Sequence, residues 1–341
     1  MGICKNKIIL FIYGMLLAIM VYSKIGTNYF TPDEMFYLFN ESMLFDSTVA
    51  TRYKFVAIFF RFVYNYGGFI LLYSINILSV WYILSLYKKY NNEKLLALMS
   101  FCFIFPSIVF YSSSFLRDIY ILMLSVLFLV FRYNIRKKKI AWGILFIIGF
   151  LKIELAIIIF ISILITRVKI NPLIFVLLFP FFLLTWYVIL TNPVVMEFYI
   201  RTLFKFEPTV FIDSNSVFFG LQKLEPTPLN GVINVMLSYF NLFAPFLYTW
   251  PDNTGFGFNV LMTIDSLLCA ICLIMGFLGF SHINYRYSEV YRLSVITILL
   301  SIIYGYFMVT PLTSLRMHIH FIPFLLIFLT GSRIKLCKKK F

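Results

Sequence analysis

Apolar runs of membrane-spanning length recur from one end of this sequence to the other, and that recurrence decides what the chain can fold into. The hydrocarbon core of a bilayer is about 30 Å thick and takes roughly 20 apolar residues as a helix. Runs such as Ile8–Tyr22, Leu116–Phe131 and Phe258–Phe280 meet or approach that need. Only 13% of the 341 residues are charged, against about one quarter in a soluble domain. The expected fold is all-α: a polytopic membrane helix bundle.

The net charge of +15 suggests nucleic acid at first sight. Its placement argues otherwise, because most Lys and Arg fall in short loops between apolar runs, as the positive-inside rule expects. Lys5 and Lys7 precede the first run, and no small-residue cleavage pattern follows Val21, so this run reads as a retained span. Later spans are expected at about Gly67–Tyr87, Leu95–Tyr111, Leu116–Phe131, Pro172–Leu190, Phe258–Phe280, Leu293–Val309 and His320–Leu329. Trp142–Thr166 reads as two more, a tight hairpin turning near Lys152-Ile153-Glu154. That makes about ten transmembrane helices in a single integral membrane domain over 1–341, with both termini cytoplasmic. The outer loops fall at about 24–66 and 192–256. In the first of them, Thr31 suits an N-cap, Pro32 the first helical position, and Asp33 and Glu34 the positive end of a helix dipole. Asp33–Phe45 is therefore expected as a short amphipathic helix on the outer surface. Phe55 to Gly67, with Arg61, is expected as an interfacial piece before the second span.

With the cytoplasmic loops set aside, the unusual charges gather on the outer side: Asp33, Glu34, Arg61, Arg117, Asp118, Lys152, Glu154, Arg201 and Arg316. Arg117-Asp118 is the most conspicuous pair, following Ser112-Ser113-Ser114 between two apolar segments. A charge at the bilayer centre costs roughly 2.5–3.5 kcal/mol on insertion scales, so such a pair neutralises itself or has a use. Arginine binds phosphate and diphosphate with two parallel hydrogen bonds and stays charged at any pH. Carboxylates beside it can take a proton from a sugar hydroxyl. Together they suit glycosyl transfer from a lipid-linked donor, with Asp33, Glu34 and Asp118 as catalytic candidates. Arg61, Arg117, Lys152, Glu154, Arg201 and Arg316 would bind the lipid diphosphate and glycan.

Other patterns point away from chemistry. Cys269-x-x-Cys272 lacks the second ligand pair or nearby His of a zinc site. His318 and His320, two apart, are badly spaced to share a metal on a helix. Asp265 lies inside a span and reads as an internal pairing group, outside the site. No nucleotide-binding glycine loop is present. Neither a metal nor a cofactor is expected, and no nucleic-acid partner.

Two stretches carry a resemblance. Phe105-Pro106-Ser107 through Tyr111-Ser112-Ser113-Ser114 to Leu116-Arg117-Asp118 resembles a segment of bacterial O-antigen and capsule repeat-unit polymerases. Pro32-Asp33-Glu34-x-x-Tyr37 resembles the acidic first loop of membrane glycosyltransferases of the C-type fold, which use polyprenyl-linked sugars. Arg316 ahead of Pro323 is similar to an Arg-to-Pro pattern near the C-terminus of both groups. The resemblance implies a repeat-unit polymerase in a bacterial inner membrane, with Asp33 or Glu34 as base and Arg117, Arg201 and Arg316 on the lipid diphosphate. Its partners would be a polyprenyl-diphosphate-linked oligosaccharide, the surrounding lipids and a chain-length regulator. The alternatives are a C-type glycosyltransferase adding one sugar, and a flippase or transporter for lipid-linked oligosaccharide.

Overall fold

The computed structural model describes residues 2–27, 32–40, 42–46, 51–89, 101–133, 137–167, 242–247, 255–280, 289–301 and 311–330. Among them the regular elements are all helical. They are α1 (Gly2–Thr27), α2 (Pro32–Phe39), α3 (Ser42–Phe45), α4 (Thr51–Lys89), α5 (Pro106–Ser112), α6 (Asp118–Tyr133), α7 (Lys138–Leu151), α8 (Ile153–Arg167), α9 (Phe256–Phe280), α10 (Glu289–Leu300), α11 (Pro311–His318) and α12 (Ile322–Thr330). Short 3-10 turns lie at Cys102–Ile104 and Pro245–Leu247. The expected span Pro172–Leu190, Arg201 and most of the second outer loop fall outside the described residues.

Three helices among these residues are long and apolar enough to cross a bilayer: Lys7–Thr27, Thr51–Leu86 and Phe256–Gly276. Their patterning shows what surrounds them. On α1, Tyr13, Leu17 and Val21 are buried at four-residue steps, while Phe11, Met15 and Ile19 are exposed at the same step. α9 likewise exposes Ile264, Leu267, Ile271 and Met275. Apolar stripes of this extent mark a surface that water does not wet. The chain is a membrane protein.

The inner helices are shorter. α6, α7 and α8 have 16, 14 and 15 residues, or about 21–24 Å each at 1.5 Å per residue. α6 packs on α7, α4 and α10, while α8 packs on α7 and α10. α12 closes the group against α9, α10 and α6. Nearly every side chain of α6 is buried, so it forms the axis of the bundle.

Two expectations change in form. The stretch expected as one span over Leu95–Tyr111 is interrupted in its described part, where a 3-10 turn ends at Phe105, whose backbone is extended (φ −63°, ψ 132°). Pro106 explains the break, since it donates no backbone hydrogen bond and disfavours helix at the residue before it. α5 then starts afresh and carries Ser112–Ser114 into the interior. The interfacial piece and second span are instead the two arms of α4, joined at a kink where Gly68 has φ 52° and ψ −140°. Only glycine adopts that conformation readily, having no Cβ to clash.

The helices alternate in direction, which sorts the charges into two ends. Asp118 starts α6 and Lys152 separates α7 from α8, so both lie at one end. Arg132, Lys138 and Arg167 lie at the other. There Glu289, at the start of α10, pairs with Arg132 and with Lys138 (2.5 Å). The Arg132 and Arg167 guanidiniums lie 5.7 and 5.9 Å from the Trp142 ring. Burial pushes the Glu289 carboxyl up, but the Lys138 hydrogen bond and the Arg132 charge outweigh it and leave it below its ordinary value.

Candidate functional site

The turn Ser113–Arg117 between α5 and α6 is the keystone of the first end. Its two serines, Ser113 and Ser114, and Ser112 at the end of α5 need partners, being buried together. Ser112 and Ser113 Oγ donate back to the Ile108 and Phe110 carbonyls, each at 2.6 Å. Asn76 of α4 donates to the Ser112 carbonyl at 2.7 Å. Phe115 anchors the turn among Phe69, Tyr64 and Phe60, with ring centroids 5.1, 5.6 and 6.1 Å away.

One buried ion pair fastens this turn to the first loop. Lys24, in the last turn of α1, places Nζ 2.9 and 3.1 Å from the two carboxylate oxygens of Glu34 on α2. The same ammonium donates to Ser114 Oγ at 2.6 Å, and the Phe115 amide donates to Glu34 Oε1 at 2.8 Å. Glu34 is 0% exposed. Its carboxylate therefore clamps α1, α2 and the serine turn together. Neighbouring Asp33 lies in the first turn of α2, and its side chain is outside the described residues.

A second group forms around Asp118. Arg316 Nε, from α11, donates to Asp118 Oδ2 at 2.6 Å. His320 Nε2 lies 3.1 Å from Oδ1. Lys152, from the turn between α7 and α8, lies 3.4 Å from His320 Nδ1 and interacts electrostatically with Asp118. Arg117 turns to the side, donating to the Leu151 carbonyl at 2.9 Å with its guanidinium 4.5 Å from the Tyr53 ring centre. Burial lowers the Lys152 ammonium to about 7, with Asp118 opposing that shift and Arg117 and Arg316 adding to it. Tyr37 of α2 is buried within electrostatic reach of Arg117, Arg316 and Asp118. Among the described residues, the Arg316 and Arg117 guanidiniums and the Lys152 amine thus lie within electrostatic reach of Asp118, with Glu154 acting on Lys152, and the two guanidiniums are groups that a phosphate or diphosphate would pair with. Arg316 remains the most accessible of them, with 19% of its side chain exposed.

A third group lies deeper. Asp265, midway along α9, accepts hydrogen bonds on Oδ1 from the Ser107 amide (2.9 Å) and hydroxyl (2.8 Å). His318 Nε2 lies 2.9 Å from Asp265 Oδ2 and 3.3 Å from Ser107 Oγ. Ser, His and Asp here do not make a nucleophilic relay. That device needs one imidazole nitrogen on the serine and the other on the acid, whereas here Nε2 faces both.

Of the residues expected at the site, Arg117, Asp118, Lys152 and Arg316 come together. Glu34 joins through the adjoining turn. Glu154 is half-buried in the first turn of α8, where its charge acts on Lys152. Arg61 is engaged elsewhere, donating to the Tyr37 and Asn40 carbonyls at 2.9 and 2.6 Å and so closing the C-terminal end of α2. Sequence reasoning passed over Lys24, gave Ser107 no role of its own, and set Asp265, His318 and His320 aside. The spacing rule for His318 and His320 presumed one regular element, but α11 ends at His318 and a turn follows. The two imidazoles then reach different carboxylates.

No family model, curated protein or solved structure matches the chain. The residues themselves must carry the functional reading.

Proposed function

We propose that the protein polymerises lipid-linked oligosaccharide units at the outer face of a bacterial inner membrane. In this reading about ten spans place both termini in the cytoplasm and the Asp118 end outside. The observation that supports it is the gathering of Arg117 and Lys152 from two turns, and of Arg316 from α11, within electrostatic reach of Asp118. The cations would bind the diphosphate of a polyprenyl carrier whose tail stays in the bilayer. The anomeric carbon of the growing glycan would leave that diphosphate and bond to a hydroxyl of a fresh unit. The hydroxyl proton would pass to a carboxylate, and the charge growing on the leaving diphosphate would fall on the cations. Glu34 and Asp118 already accept hydrogen bonds from cations. Asp33, beside Glu34 on α2, is our choice of base, with Arg201 a further candidate on the diphosphate.

The test is genetic and direct. Deleting the gene should leave surface glycan of a single repeat, and Arg117→Ala, Arg316→Ala or Asp33→Ala should lower chain extension by roughly 10²-fold or more, the scale of losing one transition-state contact. Normal long chains in the deletion strain would overturn the reading. Loss of a side branch at unchanged chain length would instead identify a single-sugar transferase. Units trapped on the cytoplasmic face would identify a flippase.

A further inference from the structure

The group around Asp265 has a feature that the diphosphate reading does not use. Asp265 Oδ2 and His318 Nδ1 are fully buried and, among the described residues, without a hydrogen-bond partner. The 2.9 Å approach of His318 Nε2 to Oδ2 is close but not aligned as a hydrogen bond. A buried polar atom left unpaired is costly, so these two point to a missing partner. Cys269 stands one helical turn beyond Asp265 on α9, on the same side and also fully buried. A carboxylate oxygen of Asp265, the Cys269 sulfur and an imidazole nitrogen of His318 all lie within 4.8 Å of one another.

We propose that Asp265, Cys269 and His318 bind one Zn²⁺ ion. Thiolate, imidazole and carboxylate are the three ligand types zinc takes, at about 2.0–2.3 Å, which sets tetrahedral ligand atoms about 3.3–3.8 Å apart. Side-chain adjustments of about 1 Å or less bring these three to that spacing. The surroundings match as well. The Ser107 amide and hydroxyl fix Asp265 through Oδ1, leaving Oδ2 to the metal, which is how outer hydrogen bonds orient a ligating carboxylate. The fourth position falls to a water. The sequence around Cys269 and Cys272 offers no local histidine, and the fold supplies one from 49 positions on, in α11. An ion here would tie α9 to α11 beneath the start of α5, so its role is to hold the floor of the bundle. It is independent of any glycan chemistry.

The experiment measures metal in the full-length protein, purified in detergent after growth with added Zn²⁺ and washed with a weak chelator. About one zinc per chain is expected in the wild type and in Cys272→Ser, which alters a nearby thiol outside the ligand set. Cys269→Ser, His318→Gln and Asp265→Asn should each lower it at least five-fold. Exchange with Co²⁺ should give a thiolate-to-cobalt charge-transfer band, absent in Cys269→Ser. Wild-type protein with less than about one fifth of a zinc per chain would overturn the proposal. So would zinc that persists in Cys269→Ser, or that is lost equally in Cys272→Ser. Should a ligand variant fail to fold, the wild-type stoichiometry and cobalt spectrum still decide.

Discussion

Lys24 and Glu34 are each placed where a lone charge is not tolerated. Removing one partner of such a pair leaves the other buried and uncompensated, a loss of about 3–5 kcal/mol. Lys24→Met should therefore lower the unfolding midpoint in detergent sharply, and adding Glu34→Gln should recover most of the loss. A midpoint unchanged in Lys24→Met would remove the clamp from the account. The contrast between Lys24 and Arg117 shows what was legible in the sequence. Arg117, Asp118, Lys152 and Arg316 stand out because charge within apolar sequence is conspicuous. Their partners do not, because pairing leaves no local trace. Asp118 meets Arg316 across 198 positions, and Ser107 meets His318 across 211. Lys24 looked like the first residue of a polar loop, and only its reach to Glu34 explains why α1 continues through it.

At the scale of elements, helix breaks were easier to foresee than their geometry. Gly67-Gly68 marked an interruption, and Lys152 marked the hairpin of α7 and α8, which do part at that residue. The pair gave no sign that both arms of α4 would join through one glycine at positive φ, because a glycine dipeptide is compatible with many bends. Gly68→Ala should cost about 1–3 kcal/mol of backbone strain, seen as a lower unfolding midpoint. Gly26→Ala is the control: among the described residues no atom beyond its own helix backbone and chain neighbours lies within 4 Å of its added Cβ, and its φ is ordinary, so stability should hold or rise slightly. Equal behaviour of the two variants would argue against the kink. Pro106 breaks a stretch that was expected as one span. Its consequence, a seven-residue α5 delivering three serines to the interior, depends on Asn76 and Phe115 contacts that no spacing reveals.

For the molecule as a whole, the end opposite Asp118 is held by Glu289 between Arg132 and Lys138. The Glu289 carboxyl titrates below its ordinary value of 4.5 in the folded state, so its pairing stabilises fully above that value. The contribution fades as pH falls through the depressed value. The difference in unfolding midpoint between wild type and Glu289→Gln should accordingly be largest near neutrality and vanish on acidification. A difference that stays constant down to strongly acid pH would contradict the linkage. The serine turn has a consequence for how the chain is built. Its neighbours come from α1 and α2 at the start of the sequence and from α11 near its end. During synthesis, α5 and α6 must therefore wait for the Arg316 hydrogen bond to Asp118 until roughly two hundred further residues have been made, with Lys152 the earlier cation within reach. Such distant closures are slow to find. Through that interval the Lys152 turn would be what neutralises Asp118, and the arrival of Arg316 would complete its pairing.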